Sequence, residues 1–172
     1  MCGIFGTISS SLIDNSKLKA LAKHSKQRGT DSSGLIVFKN FKYNISRADY
    51  DIEKLLQKVK ISGSKVVFGH SRLITNGLSD NQPVVRENIA AIHNGIIVNE
   101  DEIWEKLTVP RLQKIDSEVI VAISKEFLEN NGTIEELPAH ILSLCKGIVA
   151  CALVLPAYGK LLLFSNNGSL YV

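Results

Sequence analysis

Apolar positions along the chain fall into two alternating kinds of stretch. Short β-branched runs bounded by Gly, Asn, Ser or Pro occupy 2–8 (CGIFGTI), 34–38 (GLIVF), 65–73 (KVVFGHSRL), 88–93 (NIAAIH), 148–155 (IVACALVL) and 160–164 (KLLLF), and they predict strands. Helical patterns lie between them. Ile52, Leu55, Leu56 and Val59 fall at i, i+3, i+4 and i+7, one apolar face on an otherwise polar segment. Asn99 with Glu102 reads as a capping-box variant opening a short helix through Trp104 and Leu107. Asp116 reads as the N-cap of a helix that buries Val119, Ile120, Ile123 and Phe127 and stops at Asn130-Asn131-Gly132. Thr133 with Glu136 opens another, whose first turn Pro138 splits off. Lys19, Lys23 and Lys26 form a solvated stripe opposite Leu18, Leu21 and Ala22.

The strands come in groups rather than alternating singly with helices. Hairpins are predicted over 34–47, with the tip near Asn40, and over 148–164, with the tip at Tyr158-Gly159. Grouped strands with one-faced helices predict an α+β fold of mostly antiparallel sheets covered by helices. No repeat, low-complexity tract or linker interrupts the 172 residues, so a single domain over 1–172 is expected.

Composition narrows the class. The apolar fraction of 45% and charged fraction of 22% exclude a disordered chain. The apolar run from Ile148 to Ala157 is shorter than the roughly 20 residues of a membrane span and contains Pro156. The start MCGIFG has neither a basic n-region nor an apolar h-region, so no export signal is read and a cytoplasmic protein is expected. Three cysteines in such a chain do not suggest a disulfide framework. A net charge of +3, scattered along the chain, gives no reason to expect a nucleic-acid partner.

Cys2 opens the question of chemistry. Once the initiator Met1 is removed, Cys2 carries a thiol and an α-amine on one carbon. An amine titrating near pH 7.7–8.0 is well matched as a base for a thiol titrating near 8.5. Position 2 is equally compatible with a small residue starting a strand. His93-Asn94-Gly95 offers an Asn amide beside a Gly N–H, two donors suited to a developing oxyanion; the same dipeptide also makes hairpin turns. Arg72, in the strand exit Gly69-His70-Ser71-Arg72-Leu73-Ile74-Thr75-Asn76-Gly77, can fork onto a carboxylate with Thr75 and Asn76 in support, or sit as a surface arginine in a polar loop. The stretch Gln27-Arg28-Gly29-Thr30-Asp31-Ser32-Ser33-Gly34 suits a mobile lid or an ordinary connector. A cap carboxylate at Asp116 could also receive a cation. His24, His70, His93 and His140 show no ligand spacing with Cys or carboxylates, so neither metal nor cofactor is expected. Cys145 and Cys151 read as packing residues.

Together these segments resemble the glutaminase domain of the class II glutamine amidotransferases, the N-terminal-nucleophile family that includes glucosamine-6-phosphate synthase, amidophosphoribosyltransferase and asparagine synthetase. The resemblance rests on MCGIFG, RGTDSSG, GHSRLITNG, HNGIIVNE and IDSEVI, in that order, with GKLLLFSNNGSLYV resembling a later hairpin. It implies a four-layer αββα sandwich of two antiparallel sheets. It implies that Cys2 attacks the glutamine side-chain amide, with its α-amine carrying the proton to departing ammonia through a γ-glutamyl thioester. Asn94 and the Gly95 N–H would then form the oxyanion hole. Arg72 would hold the substrate carboxylate with Thr75, and Asp116 its ammonium, with help from the Gly95 carbonyl. The loop from Arg28 to Gly34 would close over bound glutamine. Asn76 stands where glucosamine-type members have histidine, while Asn81-Gln82-Pro83 resembles the asparagine-synthetase branch.

A glutaminase supplying ammonia to a synthase domain or subunit, with L-glutamine as ligand, is therefore the expected function. The alternatives are an N-terminal-nucleophile amidase for another amide and a non-catalytic glutamine-binding module. The pairing of Arg72 with Asp116 favours an α-amino-acid head group over other amides.

Overall fold

The computed structural model describes residues 2–39, 42–73 and 81–172. The chain divides into two compact units, one ending at Pro83 and the other beginning at Val84.

In the first unit, β1 (Gly3–Ile8), β2 (Ser32–Lys39), β3 (Lys42–Ala48) and β4 (Val66–Arg72) form a four-stranded antiparallel sheet in the order β1-β4-β2-β3. Helices α1 (Asn15–Lys26) and α2 (Ile52–Lys58) pack on it. The apolar face at Ile52, Leu55 and Leu56 is buried as the periodicity predicts, in a core with Phe5, Leu18, Ala22, Leu35, Val37 and Val67. Each buried Val, Leu, Ile or Phe among them contributes roughly 1.5–3 kcal/mol. The caps are local: Asp14 accepts from Ser16 N–H at the start of α1, and Asp51 from Glu53 and Lys54 N–H at the start of α2. Lys26 is not merely solvated: its Nζ lies 2.7 Å from Glu53 and 3.4 Å from Asp51, tying α1 to α2. The expected 34–47 hairpin is β2–β3, and its tip falls outside the described residues.

The segment Asn81-Gln82-Pro83 is clamped onto β2 and β3. Asn81 Nδ2 donates to the Ser33 and Ala48 carbonyls, and Arg47 Nε donates to the Pro83 carbonyl at 2.8 Å. Gly34 makes the passage possible, because a Cβ there would lie 1.9 Å from the Gln82 carbonyl oxygen.

In the second unit, β5 (Val84–Arg86), β6 (Ile89–Ile97), β7 (Gly147–Leu155) and β8 (Lys160–Ser165) form a second four-stranded antiparallel sheet in sequence order. Helices α3 (Glu100–Trp104), α4 (Glu118–Glu129) and α5 (Leu137–Leu144) accompany it. Val119, Ile120, Ile123, Leu137 and Ile141 pack with Ala91, Ile97, Val149, Cys151 and Leu153 in its core. Helix α5 begins at Leu137 with Pro138 in its first turn, and the Thr133–Glu136 pair lies before it, as the proline dictates. The second hairpin turns at 156–159, with Gly159 at φ +60°.

Three expectations are corrected. Asn99 does not cap α3 through its side chain: its amide donates to the Leu144 carbonyl and accepts from Lys146 N–H, while Glu102 pairs with Lys146. Helix α3 ends at Trp104 rather than reaching Leu107. And α4 is capped at Ser117, with Asp116 one residue outside it.

The start of α4 is held by a buried ion pair. Arg86 Nη2 lies 2.7 Å from Glu118 Oε1, with side chains 6% and 2% exposed. The Glu118 carboxylate also accepts from Leu112 and Gln113 N–H, and Arg86 donates to the Pro110 carbonyl. These bonds offset the cost of desolvating both charges. Glu118→Ala strands the Arg86 charge and is expected to cost about 3–5 kcal/mol in urea denaturation. An Arg86→Met/Glu118→Leu double variant should lose clearly less, and an equally large loss would show that the pair itself stabilises the fold.

Candidate functional site

In the first unit, Gly3 pairs with Ser71 in the β1–β4 register, so one step further along the ladder sets Cys2 against Arg72. On its other side Arg72 pairs with Ser32 of β2. The end of α1 fixes this corner: Ser25 Oγ donates to Ser71 Oγ at 2.9 Å, and a Cβ on Gly3 would lie 2.5 Å from the Ser25 carbonyl oxygen. Cys2 is half-buried, Arg72 is buried, and Arg28 Nε donates to the Cys2 carbonyl at 3.1 Å. Arg72 is thus the last residue of a buried strand, not a surface arginine in a loop.

The stretch 28–34 is only partly a loop. Ser32–Gly34 already belong to β2 and are buried. Before them, Asp31 N–H donates to the Arg72 carbonyl at 3.0 Å, and Gly29 lies so close to Arg72 that a Cβ would be 2.3 Å from its carbonyl carbon. Thr75 and Asn76 lie outside the described residues.

In the second unit, His93-Asn94-Gly95 is not a hairpin turn; it runs through the interior of β6, paired with Cys151, Ala150 and Val149 of β7. The turn preference of Asn-Gly is overridden by the long ladder with β7. Val149 spends its own N–H and C=O on Asn166, at 2.9 and 3.0 Å. In an antiparallel ladder the paired Gly95 must then also turn its N–H and C=O away from β7. On that side β5 ends opposite Ala91, so the ladder offers Gly95 no strand partner there. Two residues on, Ile97 N–H points to the same side and donates to Asp116 Oδ2 at 3.0 Å. The Gly95 backbone and the Asp116 carboxylate therefore lie along one edge of β6. Glycine is required: a Cβ on Gly95 would sit 1.8 Å from the Ile148 carbonyl oxygen and 2.8 Å from His93 Nε2.

His93 and Ser117 lie beside Asp116, an arrangement that the residue pattern does not announce. The ring is 1% exposed, with Nδ1 2.9 Å from Ser117 Oγ and Nε2 3.2 Å from the Ile148 carbonyl. Ser117 Oγ also lies 3.2 Å from Asp116 Oδ1. Burial lowers the His93 pKa, outweighing the opposing pull of the Asp116 charge and the Ile148 carbonyl. Nothing in the residue pattern short of the motif IDSEVI announced Ser117.

Burial pushes the Cys145 thiol up to about 12, and that of Cys151 further in the same direction. Among the described residues no three His, Cys, Asp or Glu side chains gather to hold a metal ion, and no helix is long and apolar enough to cross a membrane.

A histidine held neutral links folding to pH. Below about pH 6.5 the unfolded chain gains a proton that the folded His93 ring refuses, so its contribution is complete above that pH and is lost as pH falls, at up to about 1.4 kcal/mol per pH unit. Stability from urea denaturation is expected to fall more steeply between about pH 7 and 5 in the natural protein than in His93→Gln. Parallel curves would show that the ring titrates alike in both states.

The family model described as a glutamine amidotransferase domain matches residues 70–170. The glutamine–fructose-6-phosphate aminotransferase (isomerizing) of Bradyrhizobium diazoefficiens is 29% identical over 177 residues, covering 98% of this chain and 29% of that protein. The protein of the same name from Campylobacter jejuni is 31% identical over 178 residues, with the same shares. This chain thus spans about 29% of the length of these curated relatives. Among solved structures, the glutamine phosphoribosylpyrophosphate amidotransferase of B. subtilis, complexed with ADP and GMP, gives a TM-score of 0.67 at 23% identity, over 90% of this chain and 35% of that one. A structure described as the allosteric regulatory enzyme of purine biosynthesis gives 0.70 at 23% identity, over 89% and 35%. These likenesses show the fold, α+β with two antiparallel sheets, in keeping with the expected αββα sandwich. With more than half of its length matched by the family model, the chain belongs to the glutamine amidotransferase domain family, of the class II, N-terminal-nucleophile kind.

Proposed function

We propose that this chain is a glutaminase domain that hydrolyses the side-chain amide of L-glutamine and supplies the ammonia to a synthase domain or subunit. The observation that carries the reading is the edge of β6, where the Gly95 N–H and C=O and the Asp116 carboxylate lie side by side with Asn94 adjoining. The register of Cys2 against Arg72 supports it from the first unit.

After removal of Met1, the Cys2 α-amine takes the thiol proton and the thiolate attacks the amide carbon. The Asn94 amide and Gly95 N–H receive the oxyanion. The tetrahedral intermediate collapses to a γ-glutamyl thioester as the same proton passes to departing ammonia. Water, deprotonated by the α-amine, then releases glutamate and restores the thiol. Arg72 forks onto the substrate α-carboxylate, with Thr75 and Asn76 assisting, and Asp116 with the Gly95 carbonyl accepts the α-ammonium. Arg28, bonded to the Cys2 carbonyl, stands beside the nucleophile at the head of the loop assigned to closure.

The whole of 1–172 is read as one glutaminase domain needing no metal or cofactor. Three thiols suit a reducing compartment, so we read the protein as cytoplasmic, without nucleic-acid or membrane partners. The relatives named as fructose-6-phosphate aminotransferases suggest the kind of acceptor such a domain serves.

Cys2→Ala is expected to lower glutamate release from glutamine by several orders of magnitude without altering the fold. Arg72→Ala is expected to raise KM about ten- to hundredfold with a smaller change in kcat, since it removes a charged contact made in both ground and transition states. Both are measured on protein whose intact mass shows Met1 removed. Undiminished turnover in Cys2→Ala would overturn the nucleophile. A folded, Met1-free protein that binds glutamine and never releases glutamate would point to the binding-module alternative.

A further inference from the structure

The net charge of +3 is unevenly shared between the two units. Residues 1–83 carry thirteen Lys and Arg against six Asp and Glu, whereas residues 84–172 carry seven against eleven. Part of that surplus gathers at one concavity of the first unit. A cavity of about 380 Å³ lies between the end of the β2–β3 hairpin and the segment after α2, lined by Val37, Lys39, Lys42, Asn44, Val59 and Lys60. Register explains the grouping: Val37 pairs with Asn44 and Lys39 with Lys42, and residues paired across a ladder share a face. Val37 is a core residue and Val59 packs against the same core, so the apolar part of the lining is fixed.

Three lysines thus border one volume whose lining holds no carboxylate. Lys39 Nζ donates to the Ser62 carbonyl at 2.7 Å, which tethers its charge beside the segment that carries Lys60. Among the described residues the side chains of Lys42 and Lys60 form no ion pair. Like charges directly opposite one another, as at Lys39 and Lys42, destabilise a strand pair, and an anion between them reverses the sign. The planar fork of arginine suits a carboxylate, whereas lysine meets an oxyanion as a point charge. Three point charges, an amide and no arginine therefore suit a compact anion carrying several charges. The volume falls within the roughly 300–1,000 Å³ of small-ligand sites. A lining without an aromatic platform does not suit a nucleic-acid strand.

We propose that this cavity binds a diphosphate group, free or as part of a small phosphorylated molecule, with Lys39, Lys42 and Lys60 as its cationic partners. It lies at the far end of β2 from Ser32, which pairs with Arg72, so the anion is a second ligand and not a part of the glutamine site. The surplus of positive charge on the first unit draws such an anion toward it.

The test is calorimetric titration of the full chain with sodium diphosphate at about 0.15 M salt, where exposed charges more than roughly 8 Å apart are largely screened. One saturable site is expected. The double variant Lys42→Gln/Lys60→Gln should weaken binding at least about tenfold, through the loss of two charge-assisted contacts. Lys19→Gln/Lys23→Gln removes the same charge from α1, outside the cavity, and should stay within about twofold of the natural protein. All four side chains are exposed, so both variants should keep the fold. Methyl diphosphate separates the two sources: affinity kept within about threefold of free diphosphate assigns an esterified ligand, and a larger loss assigns the inorganic anion.

Equal weakening by the two pairs of substitutions would reduce the effect to general charge attraction and overturn the site. So would the absence of saturable binding to the natural protein. The readout involves no turnover, so either result leaves the glutaminase reading untouched.

Discussion

Strand β6 runs on past the point where β5 stops, and the alternation of an antiparallel ladder then decides what the second unit can do. Every second residue of β6 must present its N–H and C=O to the β5 side. Opposite Ala91 these groups can meet a strand; at Gly95 they face outward, and at Ile97 the N–H is met by a carboxylate from the start of α4. Backbone groups need partners. Among the described residues no strand pairs with β6 beyond Ala91 on that side, where the Asp116 carboxylate meets Ile97. The core under α4 and the Arg86–Glu118 pair keep Asp116 at that edge.

The first unit solves a different problem, that of holding a chain start in a defined place. Terminal residues fray unless tied down. Here β1 pairs with β4, α1 presses on Gly3, and Arg28 grips the carbonyl of Cys2 itself. Two glycines admit these close approaches: Gly3 under Ser25 and Gly29 against Arg72.

The strands and the α2 face were legible because their patterns are local and their burial follows from period alone; Ile52, Leu55 and Leu56 needed no knowledge of what they would meet. Where local and distant partners competed, the local reading lost. Asn99 prefers the Leu144 carbonyl and Lys146 N–H to its own helix, and Asp116 spends its carboxylate on Ile97 rather than on capping α4. Asn94-Gly95 reads as a turn until eight residues of β7 pair alongside β6. Cys2, Arg72, Asn94, Gly95 and Asp116 were nameable from motifs, whereas the contact of His93 with Ser117 appears only when β6 and the start of α4 are seen side by side.

The burial of Cys145 and Cys151 makes the chain chemically lopsided. Burial holds the Cys145 thiol near 12, far above neutral pH, and electrophiles capture thiolates, not thiols. Burial in the core shields both sulfurs from solvent as well. Among the three thiols, an alkylating or oxidising agent thus meets Cys2 alone outside the core. The packing of the second unit withdraws two of the three cysteines from such chemistry.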